Sequence, residues 1–196
     1  MEQSFVYSSQ KWRLLDKNLK ELLSNFVNKE ISRLDIIKSY RDYFSGKCEA
    51  VKPFLMTLIW GYANTGYGYS RTKPLIKRSV FKIIVSAIDE LKEDKIEVAF
   101  KKLQSIKGLG ISFISKILYF SSKALEREDY QLIFDSRVAS SLLKLSVGEE
   151  MSELFKITPS DKFEDYDKYN QLIHQIANEN SLEADAIEMF LYEQKF

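Results

Sequence analysis

The stretch SIKGLGISFISKILYF, residues 105–120, places two glycines, Gly108 and Gly110, between the end of one helical pattern and the start of the next at about residue 111 or 112. A joint this tight predicts a helical hairpin, because glycine lets two stretches of backbone approach closely. The amide groups that begin the second helix suit a phosphate oxygen. An ordinary helix end is the alternative, since glycine commonly terminates helices.

Apolar residues recur every three or four positions along nearly the whole chain, which is typical of amphipathic helices. Only YQLIF, residues 130–134, could be a short extended piece. The sequence therefore predicts an all-α fold with at most a short β-hairpin of sheet. The predicted helical stretches are 11–26, 34–44, 53–63, 74–92, 96–106, 112–125, 136–145, 166–180 and 183–194.

Composition excludes several classes of protein. The 196 residues are 45% apolar and 29% charged, which suits a globular chain with one or two cores. A single cysteine, Cys48, and a single histidine, His174, cannot form an internal disulfide or a His/Cys metal site, so we expect no metal cofactor. No apolar run approaches the roughly 18 residues of a membrane helix. We expect a soluble, cytoplasmic protein without a membrane partner.

The net charge of +1 conceals a strong asymmetry. Residues 71–123 carry 12 Lys/Arg and 5 Asp/Glu, a net +7, whereas residues 149–196 carry 4 and 12, a net −8. A basic middle is expected of a surface that binds a polyanion such as DNA, although charge runs are often only solvated helix faces. Lysines at 101, 102 and 107 would supply positive charge beside the hairpin, without sequence specificity.

Residues 103–143 resemble the helix-hairpin-helix DNA glycosylases, the superfamily of endonuclease III and the 8-oxoguanine glycosylases. IKGLG stands where that family has a hairpin of the type Leu-Pro-Gly-Val-Gly, and LIFDSRVASSL stands where it has a catalytic aspartate. GISFISKILYF followed by FDSRVA is most similar to small bacterial proteins with the 8-oxoguanine glycosylase fold, some of which are encoded in phage-defence gene clusters. The resemblance implies a DNA substrate, and protein partners if the gene lies in such a cluster.

The resemblance also implies one glycosylase-like unit over residues 1–196 with two lobes. Its hairpin would span 103–122, and its cleft would lie near 60–72 and 110–137. By resemblance alone, hairpin carbonyls could hold a monovalent cation against a phosphate.

The position of the catalytic lysine departs from the commonest pattern. Endonuclease III has its lysine two residues after the second glycine, where this chain has Ser112. Lys116 lies one helical turn later, and its spacing of 19 residues to Asp135 matches the family's spacing between lysine and aspartate. We predict Lys116 as the nucleophile and Asp135 as the carboxylate, with Ser112 as the alternative to Lys116. Asp135 could instead be only a helix cap, and Lys116 only a solvated residue.

The stretch WGYANTGYGYSRTK, residues 60–73, is predicted to form a contact loop between two helices, and it holds three of the seven glycines and four aromatic residues. An enzyme that acts on a base must extrude it and stack it against a side chain. Trp60, Tyr67 and Tyr69 are therefore candidates for a base pocket, and Arg71 and Lys73 for DNA contacts. In the alternative interpretation the glycines form turns and the aromatic residues are core.

Other polar residues receive no functional assignment. Asp185 and Glu188, three apart on the last predicted helix, are expected to face solvent, and His174 is expected to be a packed or half-exposed helix residue. Two hypotheses remain open. One is a DNA glycosylase for an oxidised or modified purine, with or without lyase activity, and the other is a module of the same fold that binds nucleic acid or a partner without catalysis.

Overall fold

The structure is a computed structural model that describes residues 4–6, 12, 22–24, 26, 30–62, 67–145 and 162–193. In these ranges the chain forms two short antiparallel strands, β1 (Ser4–Val6) and β2 (Glu30–Ser32), and nine α-helices. The helices are α1 (Arg33–Phe44), α2 (Val51–Tyr62), α3 (Gly68–Leu75), α4 (Arg78–Glu90), α5 (Ile96–Gln104), α6 (Ile111–Ala124), α7 (Ser136–Leu145), α8 (Phe163–Glu179) and α9 (Ala184–Glu193). The predicted all-α class is confirmed.

Helices α2 and α6 form the centre of the molecule. Helix α2 buries every residue from Pro53 to Trp60, and α6 buries every residue from Ile114 to Ser122. Helices that are buried on all sides lack the polar face of a surface helix. Helix α6 packs against α1, α2 and α5, while α9 packs against α7 and α8. All nine helices contribute to one continuous apolar cluster, and the division into two lobes stays a prediction.

Helices form at eight of the nine predicted stretches, whereas most of 11–26 lies outside the described residues. Helix α3 was not predicted, and it replaces part of the expected loop over residues 60–73. Gly68 and Pro74 have low helix propensity and hid this helix from the sequence pattern. Packing holds it instead, because a Cβ atom on Gly68 would lie 2.3 Å from the Trp12 ring. No described helix combines the length and the apolar character needed to cross a bilayer.

The predicted extended piece at 130–134 is present, but it pairs with no strand among the described residues. Every residue from Tyr130 to Phe134 is buried, so the backbone polar groups need partners other than water. Side chains of the flanking helices α6 and α8 supply them. The amides of 131, 132 and 134 donate to Ser122, Asn170 and Ser115, and the carbonyls of 130, 132 and 133 accept from His174, Tyr166 and Tyr169.

This network gives His174 its role in the fold. The His174 Nε2 atom lies 2.7 Å from the carbonyl oxygen of Tyr130, and the ring packs edge-on against Tyr130. The prediction of a packed or half-exposed histidine is confirmed. The segment that precedes Asp135 is thus fixed on both sides.

Candidate active site

The predicted hairpin lies between α5 and α6. Gly108 has a φ of +89°, in the left-handed region where glycine is favoured, and Gly110 is the N-terminal capping residue of α6. Ile106 and Leu109 point into the core and anchor the turn, and the Leu109 amide donates to the Ile106 carbonyl at 3.1 Å. Lys107, Gly108 and Gly110 are exposed. The start of α6 is therefore at the surface of the molecule.

Lys116 projects from the second turn of α6 and is buried, with only 5% of its surface exposed. Its Nζ atom donates to the carbonyl and the hydroxyl of Ser112, at 3.2 Å and 2.9 Å, and lies 5.6 Å from the centre of the Phe113 ring. It also lies 3.4 Å from the Oδ2 atom of Asp135. Lys116 is therefore not a solvated helix residue.

Asp135 has two separate sets of contacts. Its Oδ1 atom accepts hydrogen bonds from the amides of Arg137 and Val138, at 3.0 Å and 3.2 Å, which makes Asp135 the cap of α7. Its Oδ2 atom faces Lys116. The cap holds the carboxylate still while one oxygen remains directed at the amine. The structure thus brings Ser112, Lys116 and Asp135 together, although their roles in a reaction stay predictions.

Burial controls the protonation of the lysine. Removal from water lowers the pKa of Lys116, whereas the negative charges of Asp135 and Glu188 raise it and the positive charge of Arg33 lowers it. The net pKa is below the ordinary lysine value. A neutral amine is therefore more accessible at this position than on an exposed lysine.

A small residue on α2 makes room for the lysine. A Cβ atom on Gly61 would lie 2.6 Å from the Phe113 ring and 3.3 Å from Cδ of Lys116. The Phe113 ring also packs on Tyr62, with 4.3 Å between ring centres. Helices α2 and α6 are therefore in close contact beside the Lys116 side chain, and the Phe113 ring shields it.

A second buried ion pair lies nearby, between Arg33 at the start of α1 and Glu188 on α9. Two guanidinium nitrogens reach the two carboxylate oxygens at 2.7 Å and 3.3 Å, and the Glu188 side chain has no exposed surface. Removing one partner of such a pair costs about 3–5 kcal/mol, because it leaves a buried charge uncompensated. The prediction that Glu188 faces solvent is wrong. Ala184, Glu188 and Leu191 share the buried face of α9, and that spacing could have revealed it.

Asp185, expected at the surface, is also engaged. Its carboxylate lies 3.1 Å from Lys123 and accepts hydrogen bonds from the hydroxyls of Tyr119 and Tyr130, at 3.0 Å and 3.2 Å. The prediction that it faces solvent misses this network, since the spacing of carboxylates along a helix says nothing about the neighbouring helix.

The predicted base-pocket aromatics separate into two groups. Trp60 is 3% exposed and packs edge-on against Phe5 and Phe120, so its core interpretation is correct and no base can stack on it in this conformation. Tyr67 is 67% exposed. Tyr69 is half-buried, with the Lys73 amine 5.8 Å from its ring centre. Tyr67 and Tyr69 therefore remain accessible, whereas Trp60 belongs to the structural core.

The basic residues predicted to contact DNA also differ among themselves. Lys101 pairs with Glu97, and Lys102 pairs with Glu90 and with the hydroxyl of Ser86. Arg71, Lys73 and Lys107 are exposed and make no ion pair with any other described residue. Because an exposed ion pair contributes little free energy, Lys101 can exchange Glu97 for a phosphate, whereas the pair between Lys102 and Glu90 is partly buried.

Within the described ranges, no group of three His, Cys, Asp or Glu residues could hold a metal ion. One family model matches residues 1–192, almost the entire chain, and is described as "Putative 8-oxoguanine DNA glycosylase OGG-like protein". The chain belongs to this family. Membership in the OGG-like family supports a DNA glycosylase-like function with DNA as the substrate. Neither the curated proteins nor the solved structures gave a match.

Proposed function

We propose that the protein is a DNA glycosylase that removes an oxidised or otherwise modified purine, of the 8-oxoguanine kind, from double-stranded DNA. The observation that carries the proposal is the 3.4 Å approach of the Lys116 amine to the Asp135 carboxylate, directly after the hairpin, in a member of the OGG-like family. Lys116 lies on the buried helix α6, and Asp135 follows the buried segment at 130–134. An amine beside a carboxylate is what the cleavage of an N-glycosidic bond by a lysine nucleophile requires.

Lys116 is the nucleophile in this proposal. Its neutral amine attacks C1′ of the nucleotide while the bond from C1′ to the base breaks, and the base leaves with the bonding electrons and takes up a proton. Nζ then gives up one proton, the bond between C1′ and the ring oxygen O4′ breaks while O4′ takes up a proton, and C1′ and Nζ are left joined as a protonated imine. Only the neutral amine has a free electron pair, so the burial that lowers the pKa of Lys116 favours this step.

Asp135 stabilises the transition state. The sugar gains oxocarbenium character as the bond to the base breaks, and a nearby carboxylate offsets that positive charge. The Oδ1 atom is held by two backbone amides, so Oδ2 is the oxygen available to the sugar and to the amine. Helix capping and catalysis are compatible here because they use different oxygens.

A hydrolytic mechanism is the alternative for the same site. Ser112 stands where the lysine of endonuclease III would stand, and its hydroxyl lies 2.9 Å from the Lys116 amine. If Lys116 does not attack, Asp135 activates a water molecule, and the base is released without a covalent intermediate. This version would remove the base without cutting the strand.

The hairpin is the DNA-backbone contact in the proposal. A Cβ atom on Gly110 would meet no other atom within 4 Å, and the φ of this residue is −86°, so nothing inside the protein requires glycine there. Close approach of a phosphate to the start of α6 explains the glycine. Lys107 and Gly108 precede Gly110 in the turn, and Lys101 and Lys102 lie in the last turn of α5. Arg71 and Lys73, beside the candidate stacking residues Tyr67 and Tyr69, would bind backbone elsewhere.

Phage defence is the cellular role that we propose for this activity, and it is supported by the sequence resemblance alone. The competing function is a module of the same fold that binds nucleic acid or a partner protein of a defence operon without catalysis. Ser112 at the usual lysine position is the observation that favours this second function. The two functions differ in whether a base is released.

The test is incubation of the purified protein with a duplex that contains one 8-oxoguanine, with and without borohydride. Release of the base together with a borohydride-trapped covalent complex supports the lysine mechanism, and release without trapping supports the hydrolytic one. An unmodified duplex of the same sequence is the control. Binding of the modified duplex without base release would contradict the enzyme and support the binding module.

A further inference from the structure

The buried ion pair between Arg33 and Glu188 lies beside the amine of the proposed site. The Arg33 guanidinium lies 5.2 Å from the centre of the Tyr119 ring and 5.3 Å from that of Trp60. Tyr119 comes three residues after Lys116 on α6, and so shares its helix face. Trp60 precedes Gly61, against which the Lys116 chain lies. Four helices, α1, α2, α6 and α9, thus place a second pair of charges next to the reactive lysine.

We propose that Arg33 is a positioning residue for the reaction. It occupies both oxygens of Glu188 and so prevents this buried carboxylate from attracting the Lys116 amine. The inference rests on the proposed function, because it concerns the same amine. A carboxylate of this kind would otherwise compete with Asp135 and hold Lys116 as an ammonium ion. The bidentate contact suits arginine, whose planar group matches both oxygens at once, better than lysine.

The charged groups around the Lys116 amine support this role. The charged groups that act on Lys116 are Asp135, before α7, Arg33 on α1 and Glu188 on α9. Tyr62 on α2, Tyr119 on α6 and Tyr169 on α8 also lie in this region, and burial raises the pKa of each hydroxyl, so all three stay neutral near pH 7. Burial also raises the pKa of Glu188, and Arg33 opposes that rise. Because Arg33 and Glu188 are paired, one positive and one negative charge act on the Lys116 amine, and their effects on its pKa oppose each other.

The sign of each substitution follows. In Arg33→Met, the charge of Glu188 is unmasked, which raises the pKa of Lys116, so the amine becomes neutral only at higher pH. In Glu188→Gln, the charge of Arg33 is unmasked, which lowers the pKa of Lys116, so the amine becomes neutral at lower pH. The double variant Arg33→Met/Glu188→Gln removes both charges. A purely structural pair would give no such opposite shifts.

The experiment measures the initial rate of covalent trapping on an 8-oxoguanine duplex from about pH 6 to pH 10, with cyanoborohydride as the hydride donor. We expect the midpoint of the rising limb to move up by about one pH unit in Arg33→Met and down by about one in Glu188→Gln. The double variant and Arg33→Lys should stay near the wild-type midpoint. Below that midpoint, Glu188→Gln should trap about tenfold faster than the wild type.

Each outcome has one meaning. Equal midpoints in all variants, or shifts in the same direction, would overturn the role of Arg33 while leaving the lysine mechanism intact. If Arg33→Met does not fold, the downward shift of Glu188→Gln and its reversal in the double variant decide the question. Absence of trapping in the wild type would overturn the proposed lysine chemistry itself, and the inference would fail with it.

Discussion

Helix α6 carries two lysines, seven residues apart, and each is paired with an aspartate. Lys116, near the start of the helix, has a side chain that is 6% exposed, and it lies 3.4 Å from Asp135. Lys123, near the end, is 23% exposed and lies 3.1 Å from Asp185. Both pairs join a lysine of α6 to an aspartate, but the residues around the two pairs differ.

At the Lys123 end, side chains other than the lysine donate to both oxygens of the aspartate. The two oxygens of Asp185 accept from two tyrosine hydroxyls as well as from the lysine, and the Lys123 amine lies 3.6 Å from the centre of the Tyr130 ring. At the Lys116 end, one oxygen of Asp135 caps α7 and the other faces the amine. A lysine–aspartate pair therefore becomes a candidate for chemistry when the neighbouring residues leave one carboxylate oxygen to the lysine.

Lys116→Gln and Lys123→Gln test most directly whether the two lysines differ in function. Loss of the proposed nucleophile should abolish trapping and lower base release on the order of 10⁴-fold or more, whereas Lys123→Gln should leave both near wild type. The measurement is single-turnover base release alongside gel detection of the complex. Equal losses in both variants would mean that α6 acts only as a scaffold. Full base release by Lys116→Gln without trapping would shift the chemistry to water activated by Asp135.

Asp135→Asn and Asp185→Asn test the carboxylates in the same way. Asparagine still caps a helix, so α7 should remain folded. The charge proposed to stabilise the sugar is lost, and base release should fall by about 10²–10³-fold. Asp185→Asn is the matched control, for which we expect a small change in rate and a lower melting temperature. Circular dichroism of both variants separates misfolding from lost chemistry. Unchanged base release in a folded Asp135→Asn protein would refute the catalytic role.

Gly61→Ala tests the surroundings of Lys116 alone, because it disturbs only that end of α6. The added methyl would lie 2.6 Å from the Phe113 ring, so Phe113 and the adjacent lysine chain must move. Overpacking of this kind costs about 1–3 kcal/mol of unfolding free energy. Displacement of the amine should lower the trapping rate about tenfold.

The control for Gly61→Ala is Gly110→Ala, whose methyl meets no other atom within 4 Å. It should leave the unfolding free energy nearly unchanged and weaken DNA binding on all sequences alike. Denaturant unfolding and a binding titration distinguish the two. Normal stability and trapping in Gly61→Ala would show that the close approach of α2 to α6 does not position the lysine.

Ser112→Ala should have the smallest effect. The hydroxyl accepts one hydrogen bond from the Lys116 amine at 2.9 Å. Its loss should alter the trapping rate by about fivefold or less, the scale of one hydrogen bond. Initial rates at several pH values give the comparison with the wild type. A loss as large as that of Asp135→Asn would instead place Ser112, and not Lys116, at the centre of the reaction.

Much of the fold was readable from the sequence because its signals are local. Helical periodicity located eight helices, and the paired glycines located the hairpin. The approach of Lys116 to Asp135 was predicted from the resemblance to the glycosylase family, whose lysine and aspartate have the same spacing. By contrast, the contact partners of Trp60 and Glu188 could not be predicted, because they come from distant parts of the chain. Phe5 packs on Trp60, and Arg33 reaches Glu188 across 155 positions.

Helix α3 shows the same limit at the level of secondary structure. Its eight residues include Gly68 and Pro74, and local propensity therefore argued for a loop. Tertiary packing against Trp12 overrides that propensity. The residues that sequence reasoning missed at the site, Gly61 and Phe113, act through shape. Their importance depends on the distance between two helices, which a periodic pattern does not encode.

The extended segment at 130–134 has a consequence for the order of assembly. Its hydrogen-bond partners come from α6, which precedes it, and from α8, which follows it by about thirty residues. Before α8 docks, the carbonyls that Tyr166 and Tyr169 satisfy have only water as a partner, and the segment cannot be buried. Asp135, at its end, is therefore fixed late in folding. A chain that emerges from the ribosome therefore acquires its proposed catalytic carboxylate only after α8 has been synthesised, so a shorter chain would carry the proposed DNA-binding hairpin without an assembled site.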